Sequence, residues 1–351
     1  MRVLILYTEL AGYVLGNIKR FICANQGAEV LLVHYPVNDE APFDLAAHNN
    51  TRFLVYNLSA HGHILDEVVK FNPEVILCSG WGNKFYLDIV KRADKKIKKV
   101  LCFDNQWKGT LKQRILVMTS GLTFLRRFKY AWVPGDPQKE YAVRLGFERT
   151  NVFTGLYPAD TDLFIPIGRK KLSLSQNPYP KVMISMARYI PQKDLPTLWK
   201  AFLAANARTG NRWILNCFGL GQLYESRMEG PGIHHMGFKQ PREMEDYILS
   251  AGVYVLPSIE EPWGVAVHEM ALSAIPLVLS DKVGAGSMFL SGTNGFSFEA
   301  GNVQALELIL EKIMRMKDSE LWQMAAESYQ AGMRLTSSDW SATLKKILLE
   351  P

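Results

Sequence analysis

The 351-residue sequence predicts two α/β domains in tandem, each a doubly wound parallel sheet with helices on both faces, on three observations. Apolar strand-length runs alternate with segments of helical period from Arg2 onward, the pattern that builds parallel sheets. The alternation stops at a polar, proline-flanked stretch from Pro166 to Pro180 and restarts at Lys181, as at a domain boundary. The length suits two domains, and 48% hydrophobic with 21% charged residues is globular composition with material for sizeable cores. Fibrous and disordered classes are excluded.

Arg2 to Thr8 reads as a strand and Val14 to Ala24 as a helix, joined by the loop Glu9-Leu10-Ala11-Gly12-Tyr13; Glu29 to His34 is the next strand. Further strands are expected at 52–57, 74–79, 99–103, 130–134 and 151–154. The first turn lacks a Gly-x-Gly-x-x-Gly run, which argues against a dinucleotide cofactor there. Parallel sheets bind ligands beyond their strands' C-terminal ends. That rule selects three loops: Leu10 to Tyr13 with Gly12, Gly80 to Asn83 with Trp81, and Asp104 to Trp107 with Asn105.

The net charge is +6, and it is unevenly placed. From Lys84 to Lys129 there are thirteen Lys or Arg against three acids, a local net of +10. Such a region is either a solvated helix face or a surface for anionic lipid headgroups, worth about 1 kcal/mol per basic residue. The segment Leu111 to Arg127 is apolar with basic ends and too short to span a bilayer; it fits an interfacial segment or a buried core helix. No nucleic-acid-binding motif accompanies the patch. Cys23, Cys78, Cys102 and Cys217 lie in or beside apolar runs without metal-ligand spacing, as expected of reduced core thiols in a cytoplasmic protein. The opening Met1 to Tyr7 is too short for a signal peptide's apolar region, and no apolar run reaches bilayer-spanning length. Seven scattered His give no metal site.

In the second half, Lys181 to Met186 is a strand followed by Ala187-Arg188-Tyr189-Ile190-Pro191-Gln192-Lys193-Asp194. Two cations five residues apart on a strand-to-helix loop can clamp a diphosphate. Trp213 to Phe218 is the next strand and ends in Gly219-Leu220-Gly221. A strand start at Ile233-His234-His235 runs on to Met236-Gly237-Phe238, and a helix is expected from Arg242 to Leu249. Ala251 to Pro257 reads as a buried parallel strand. Beyond it, Glu260-Glu261-Pro262-Trp263-Gly264-Val265 should turn into a helix, with Pro262 in its first turn and the N–H groups of Gly264 and Val265 facing an anion. Glu261 and Glu269, seven residues between them, bring two carboxylates to one ligand. A molecule with hydroxyls at both ends and phosphates between, such as a nucleotide sugar, suits that pairing. His268 has a helix-packing or solvent role as its plain reading. Helices are expected over 302–334.

Glu261-Pro262-Trp263-Gly264, then Glu269-Met270-Ala271-Leu272, then Ala274-Ile275-Pro276 resembles the Glu-x7-Glu signature of retaining GT-B glycosyltransferases, in particular glycosyltransferase family 4. The usual form has Phe for Trp263 and Gly for Ile275. The Arg188 and Lys193 segment resembles the family's Gly-Arg-x-x-x-x-Lys-Gly, with Ala187 and Asp194 replacing the glycines. The resemblance covers 181–300 well and the first half in layout only. It implies a GT-B fold, two Rossmann-like domains facing each other across a cleft: residues 1–157 for the acceptor, a linker 158–180, residues 181–335 for the nucleotide sugar, and a helix over 336–351 returning to the first domain.

The resemblance further implies that Glu261 touches the donor sugar and Glu269 the ribose, that Arg188, Lys193, Gly264 and Val265 hold the diphosphate, and that Gly219, Gly221, Phe238 and Gly12 lie along the donor. Trp81, Asn105 and Trp107 fall on the acceptor side. Many members carry a His after the strand matching Val100 to Phe103; here Asp104 follows, as a carboxylate base or as a turn cap. The implied activity is metal-independent, cofactor-free transfer with retention from a UDP- or GDP-type donor to a glycan or lipid-linked acceptor, in bacterial surface polysaccharide or lipopolysaccharide synthesis. The expected location is cytoplasmic, peripheral on the inner face of the membrane. A sugar-nucleotide epimerase or phosphorylase, or an inactive nucleotide-sugar-binding protein, are the alternatives the sequence leaves open.

Overall fold

A computed structural model describes residues 1–44, 50–123, 125–210 and 212–350; Phe124, within the expected interfacial segment, lies outside the described residues. The chain divides into two compact units, the first made of 1–38, 43–158 and 335–351 and the second of 39–42 and 159–334.

The first unit alternates β1 (Arg2–Tyr7), α1 (Gly12–Ala24), β2 (Glu29–His34), β3 (Thr51–Val55), α2 (His61–Phe71), β4 (Val75–Ser79), α3 (Lys84–Arg92), β5 (Lys98–Cys102), α4 (Leu111–Ser120), β6 (Tyr130–Trp132), α5 (Asp136–Arg144) and β7 (Val152–Phe153). The strands form one parallel sheet in the order β3-β2-β1-β4-β5-β6-β7. Their near-continuous apolar runs are explained by burial on both faces. Helix α1 starts at Gly12 rather than Val14, so Gly12 and Tyr13 belong to its first turn and not to a loop. Its inward face is Val14, Ile18, Phe21 and Ile22. Cys23 falls off that face and is exposed, whereas Cys78, Cys102 and Cys217 are buried; the core-thiol expectation fails for Cys23 because of helical phase.

The second unit continues with α6 (Thr161–Leu172), β8 (Val182–Met186), α7 (Leu195–Arg208), β9 (Ile214–Phe218), β10 (Ile233–His235), α8 (Glu245–Ser250), β11 (Val253–Leu256), α9 (Val265–Leu272), β12 (Leu277–Ser280), α10 (Gly286–Phe289), β13 (Gly295–Phe298), α11 (Val303–Arg315) and α12 (Asp318–Gly332). Its parallel sheet has the order β10-β9-β8-β11-β12-β13. The last helix, α13 (Ser337–Leu349), groups with the first unit. There Trp340 stacks on Trp132 at 5.1 Å and meets Phe21 edge-on at 6.4 Å.

The stretch expected to be loop-like from Pro166 is in part α6, with Pro166 inside it. Tertiary burial outweighs the missing hydrogen bond: Phe164, Ile167, Gly168 and Lys171 are all buried. Lys171 donates from Nζ to the carbonyls of Ile248, Leu249 and Ala251 at the end of α8. Burial pushes its ammonium down to about 7. Glycines let α6 and α12 approach α9 to backbone contact. A Cβ on Gly168 would lie 2.0 Å from the Leu272 carbonyl oxygen, and one on Gly332 would lie 2.6 Å from the Leu272 nitrogen.

Gly168→Ala therefore forces α6 off α9, and we expect a loss of about 1–3 kcal/mol in the denaturant midpoint. An unchanged midpoint would mean that this contact is loose.

Candidate functional site

Four loops leave the C-terminal edge of the second sheet and are tied to one another through backbone. Ala187 N–H donates to Phe218 O (3.0 Å), Gly219 N–H to Gly237 O (2.9 Å), Tyr189 N–H to Leu220 O (2.8 Å), and Ile259 N–H to Gln192 O (2.9 Å). Gly219 and Gly221 have φ of 131° and 148°. A Cβ on Gly219 would meet Ala187 O at 2.1 Å, and one on Gly221 would meet Tyr189 O at 2.8 Å. The glycines thus serve the seating of one loop on the next. Phe238 follows Gly237, half-buried, beside that seam. The expected strand over Met236 to Phe238 ends instead at His235, since Gly237 turns into the left-handed region at φ 66°.

Sheet order places the winding reversal between β8 and β11, the crevice where open α/β sheets bind ligands. Lys193 and Glu261 bridge it. Lys193 lies in a short 3-10 turn after β8, and its Nζ donates to Glu261 Oε2 beyond β11. Their side chains are only 16% and 11% exposed, so the pair is a largely buried one. Asp194, at the position where the resemblance expects Gly, takes φ 45°. The backbone asks for the left-handed conformation, and Asp is among the few other residues that adopt it readily. Arg188 is half-buried and 3.7 Å from Glu40, in the short segment that groups with this unit.

The stretch after β11 departs from expectation at Pro262. Gly284 N–H donates to Glu261 O (3.0 Å) and Ala285 N–H to Trp263 O (2.9 Å), which keeps 261–263 extended. Gly264 then takes φ 95° as the N-cap, and α9 starts at Val265. Pro262 thus lies before the helix rather than in its first turn. Trp263 is buried, edge-on to Phe289 at 6.1 Å. Gly264 and Val265 still stand at the positive end of α9.

Glu269 sits inside α9. Burial pushes its carboxyl up to about 7, and the negative charge of Asp160 adds to the rise. Asp160 is the N-cap of α6. Tyr254, fully buried on β11, lies within the field of both carboxylates: after burial, Glu261 and then Glu269 raise its phenol well above the usual tyrosine range. Sequence reading missed Asp160 and Tyr254 as site residues. Alternation on β11 could have flagged Tyr254, since a Tyr in a strand buried on both sides needs a partner; it donates to Met186 O at 3.4 Å. His268 is structural. Its Nδ1 accepts from Ala159 N–H (2.9 Å), its Nε2 faces Gly332 O (2.9 Å), and its ring stacks on Phe289 at 4.2 Å.

In the first unit, the matching edge carries the remaining candidates. Thr8 and Ser79 hydroxyls lie 3.4 Å apart at the β1/β4 reversal. Tyr7 and Tyr13 share a 3.2 Å hydrogen bond, which places Tyr13, next to Gly12, beside the crevice. Asp104 is half-buried after β5, and its charge raises the phenols of both Tyr7 and Tyr157, behind the larger effect of burial. Helix α4 has its own cap, Thr110, which accepts from Gln113 N–H at 3.3 Å. Trp81 is edge-on to Phe103 at 5.3 Å. Trp107 packs on Tyr141 at 5.7 Å with the Arg144 guanidinium 5.2 Å over its ring. Asn105 is exposed. No group of three or more His, Cys, Asp or Glu among the described residues has metal-binding geometry.

The raised Glu269 pKa has a signed consequence for stability. Folding raises the carboxyl from 4.5 to about 7, so the folded state holds the extra proton between those values. Stability is therefore full below 4.5 and declines as pH rises through about 7. Glu269→Gln should remove this decline and exceed wild type at pH 8 by up to about 3 kcal/mol in urea titrations. Parallel pH profiles for the two proteins would contradict the assignment.

Residues 169–330 match the family described as glycosyl transferases group 1. No curated protein matches the chain in sequence. Similar solved structures include an E. coli trehalose-6-phosphate protein bound with UDP-2-fluoro glucose, at 10% identity, TM-score 0.73 and 100% of both chains. HepE from Anabaena, in complex with UDP and glucose, aligns at 14% identity and TM-score 0.69 over 98% of this chain and 99% of its own. Sucrose-phosphate synthase from Thermosynechococcus elongatus aligns at 13% identity and TM-score 0.69 over 99% of this chain and 98% of its own. The chain has the GT-B fold, and its residues 169–330 match the glycosyl transferases group 1.

Proposed function

We propose that the protein is a retaining, metal-independent glycosyltransferase that moves a sugar from a nucleotide-diphosphate sugar to a glycan or lipid-linked acceptor in bacterial surface polysaccharide or lipopolysaccharide synthesis, working as a peripheral protein on the cytoplasmic face of the membrane. The observation that carries the reading is the Lys193–Glu261 bridge across the β8/β11 crevice, with the α9 N-terminus and Glu269 beside it. Two of the similar structures hold UDP or a UDP-sugar, which favours a UDP-type donor.

In this reading the leaving diphosphate gathers negative charge as the glycosidic bond breaks toward an oxocarbenium-like transition state. Lys193, Arg188 and the N–H groups of Gly264 and Val265 meet that charge, a role metal ions take elsewhere. Glu261 orients the sugar through its hydroxyls, and its pairing with Lys193 fixes both side chains before the donor arrives. Glu269 accepts from the ribose hydroxyls. Only its ionised form accepts twice, so donor affinity should rise as pH passes through about 7 and should lose that dependence in Glu269→Gln. Asp104, beside Trp81, Asn105 and Trp107 on the first unit's ligand edge, takes the acceptor's proton. Gly219, Gly221, Phe238 and Gly12 line the donor.

The test is a transfer assay with purified acceptor extract and UDP-sugars. Arg188→Ala should lower kcat on the order of 10²-fold with little change in KM, because its contact strengthens only as charge develops. The first-formed anomer, read by NMR, should keep the donor's configuration, and a chelator should leave the rate unchanged. An inverted product, a chelator-sensitive rate, or a rise in KM alone for Arg188→Ala would each defeat the corresponding part of the reading.

A further inference from the structure

Helix α4 turns its apolar residues outward. Leu111, Ile115 and Met118 are 75%, 54% and 82% exposed, and Leu122 in the turn that follows is 72% exposed. At 3.6 residues per turn these four positions fall within an arc of roughly 60°. Lys112 flanks the stripe on one side and Arg114 on the other, both exposed. The opposite face, Leu116, Val117 and Ser120, packs inward: the first two join the unit's core, and Ser120 Oγ bonds to Leu145 O at 2.7 Å. The helix is therefore held by one face, and among the described residues nothing covers the other.

The chain leaving α4 runs directly into a basic basin. Arg126, Arg127 and Lys129 line it together with Lys91, Lys95 and Lys96, around an open volume of about 610 Å³, with no acidic residue among the described residues of the lining. An apolar stripe continuous with concentrated cations is the combination that interfacial helices present to anionic lipid.

We propose that this face docks on an anionic bilayer, with Leu111, Ile115, Met118 and Leu122 entering the headgroup boundary and the basin gathering acidic headgroups. The charge complementarity selects the occupant. A second copy of the chain would bring the same basic basin against its twin, and a nucleic acid would leave the apolar stripe without a partner. Docking here also sets a second feature of the unit in place. The loop Asp104 to Trp107, assigned above to the acceptor, leads into α4, so the docked helix starts from the acceptor edge. This deepens the reading of a lipid-linked acceptor, while the docking itself is read without any transfer reaction.

The experiment is co-sedimentation of the full chain with vesicles of phosphatidylcholine alone or mixed with phosphatidylglycerol, at low and high salt. Wild type should sediment with the mixed vesicles at low salt and be released at high salt. Ile115→Glu/Met118→Glu should weaken partitioning at least about tenfold, and Arg126→Glu/Arg127→Glu should do the same at low salt. None of the four is among the residues assigned to the donor, so both variants should keep the wild-type melting temperature and the same stabilisation by UDP, which separates failure here from failure of the donor reading. Wild type left in the supernatant at low salt would overturn the proposal. So would a dimer in sedimentation velocity that Ile115→Glu/Met118→Glu converts to monomer, which would assign the face to a second copy.

Discussion

Lys193 and Glu261 meet across the point where the second sheet reverses its winding, and the rest of the candidate site is arranged around that bridge. One follows β8 and the other β11. The strands are adjacent in the sheet but far apart in sequence, and the pair reinforces the backbone hydrogen bonds from Ile259 and Glu260 N–H to Gln192 O that join the same two loops. A largely buried ion pair adds little net stability by itself, yet removing one partner strands the other at a cost of about 3–5 kcal/mol. Its value is therefore positional. It fixes a cation and an anion at a crevice before any ligand is bound, and preorganisation of this kind is where electrostatic catalysis gains most.

The carboxylate on the other side shows the same economy of environment. Glu269 is placed by α9, which is itself held by backbone contact with α6 and α12 through Gly168 and Gly332. Packing that tight excludes water from one side of the carboxyl, and Asp160 adds a like charge. The strain is relieved when a partner donates to the carboxylate. A ligand with vicinal hydroxyls does this, so the group that costs stability when ionised becomes the group that rewards binding.

The fold was legible because parallel sheets buried on both faces leave long apolar runs, and both units showed them. Spacing was enough to place the candidates relative to one another: Arg188 and Lys193 lie on one loop, and Glu261 and Glu269 around one turn. What spacing could not show was conformation that depends on distant backbone. Pro262 reads as a helix starter, but the hydrogen bonds from Gly284 and Ala285 keep that segment extended. Pro166 reads as a loop, but burial of Phe164, Ile167 and Lys171 holds a helix through it. Asp194 reads as a departure from the glycine pattern, and only its φ of 45° shows that the same turn is made with a different residue. Asp160 was invisible because its part in the site comes from three-dimensional neighbours alone, and Tyr254 was signalled only by its place in a fully buried strand. The outward stripe of α4 was half legible: the segment was recognisable as apolar with basic ends, and which face it exposed was not.

The most direct test of the central claim is thermal stabilisation of the wild-type chain and of Glu269→Ala by a metal-free panel of UDP-, GDP-, ADP- and CMP-sugars, since a ligand that binds only the folded state raises its melting temperature. The account predicts a selective rise with one nucleotide, UDP foremost, that is lost in Glu269→Ala. A wild-type chain that no member of the panel stabilises, or a rise that persists undiminished in Glu269→Ala, would contradict it.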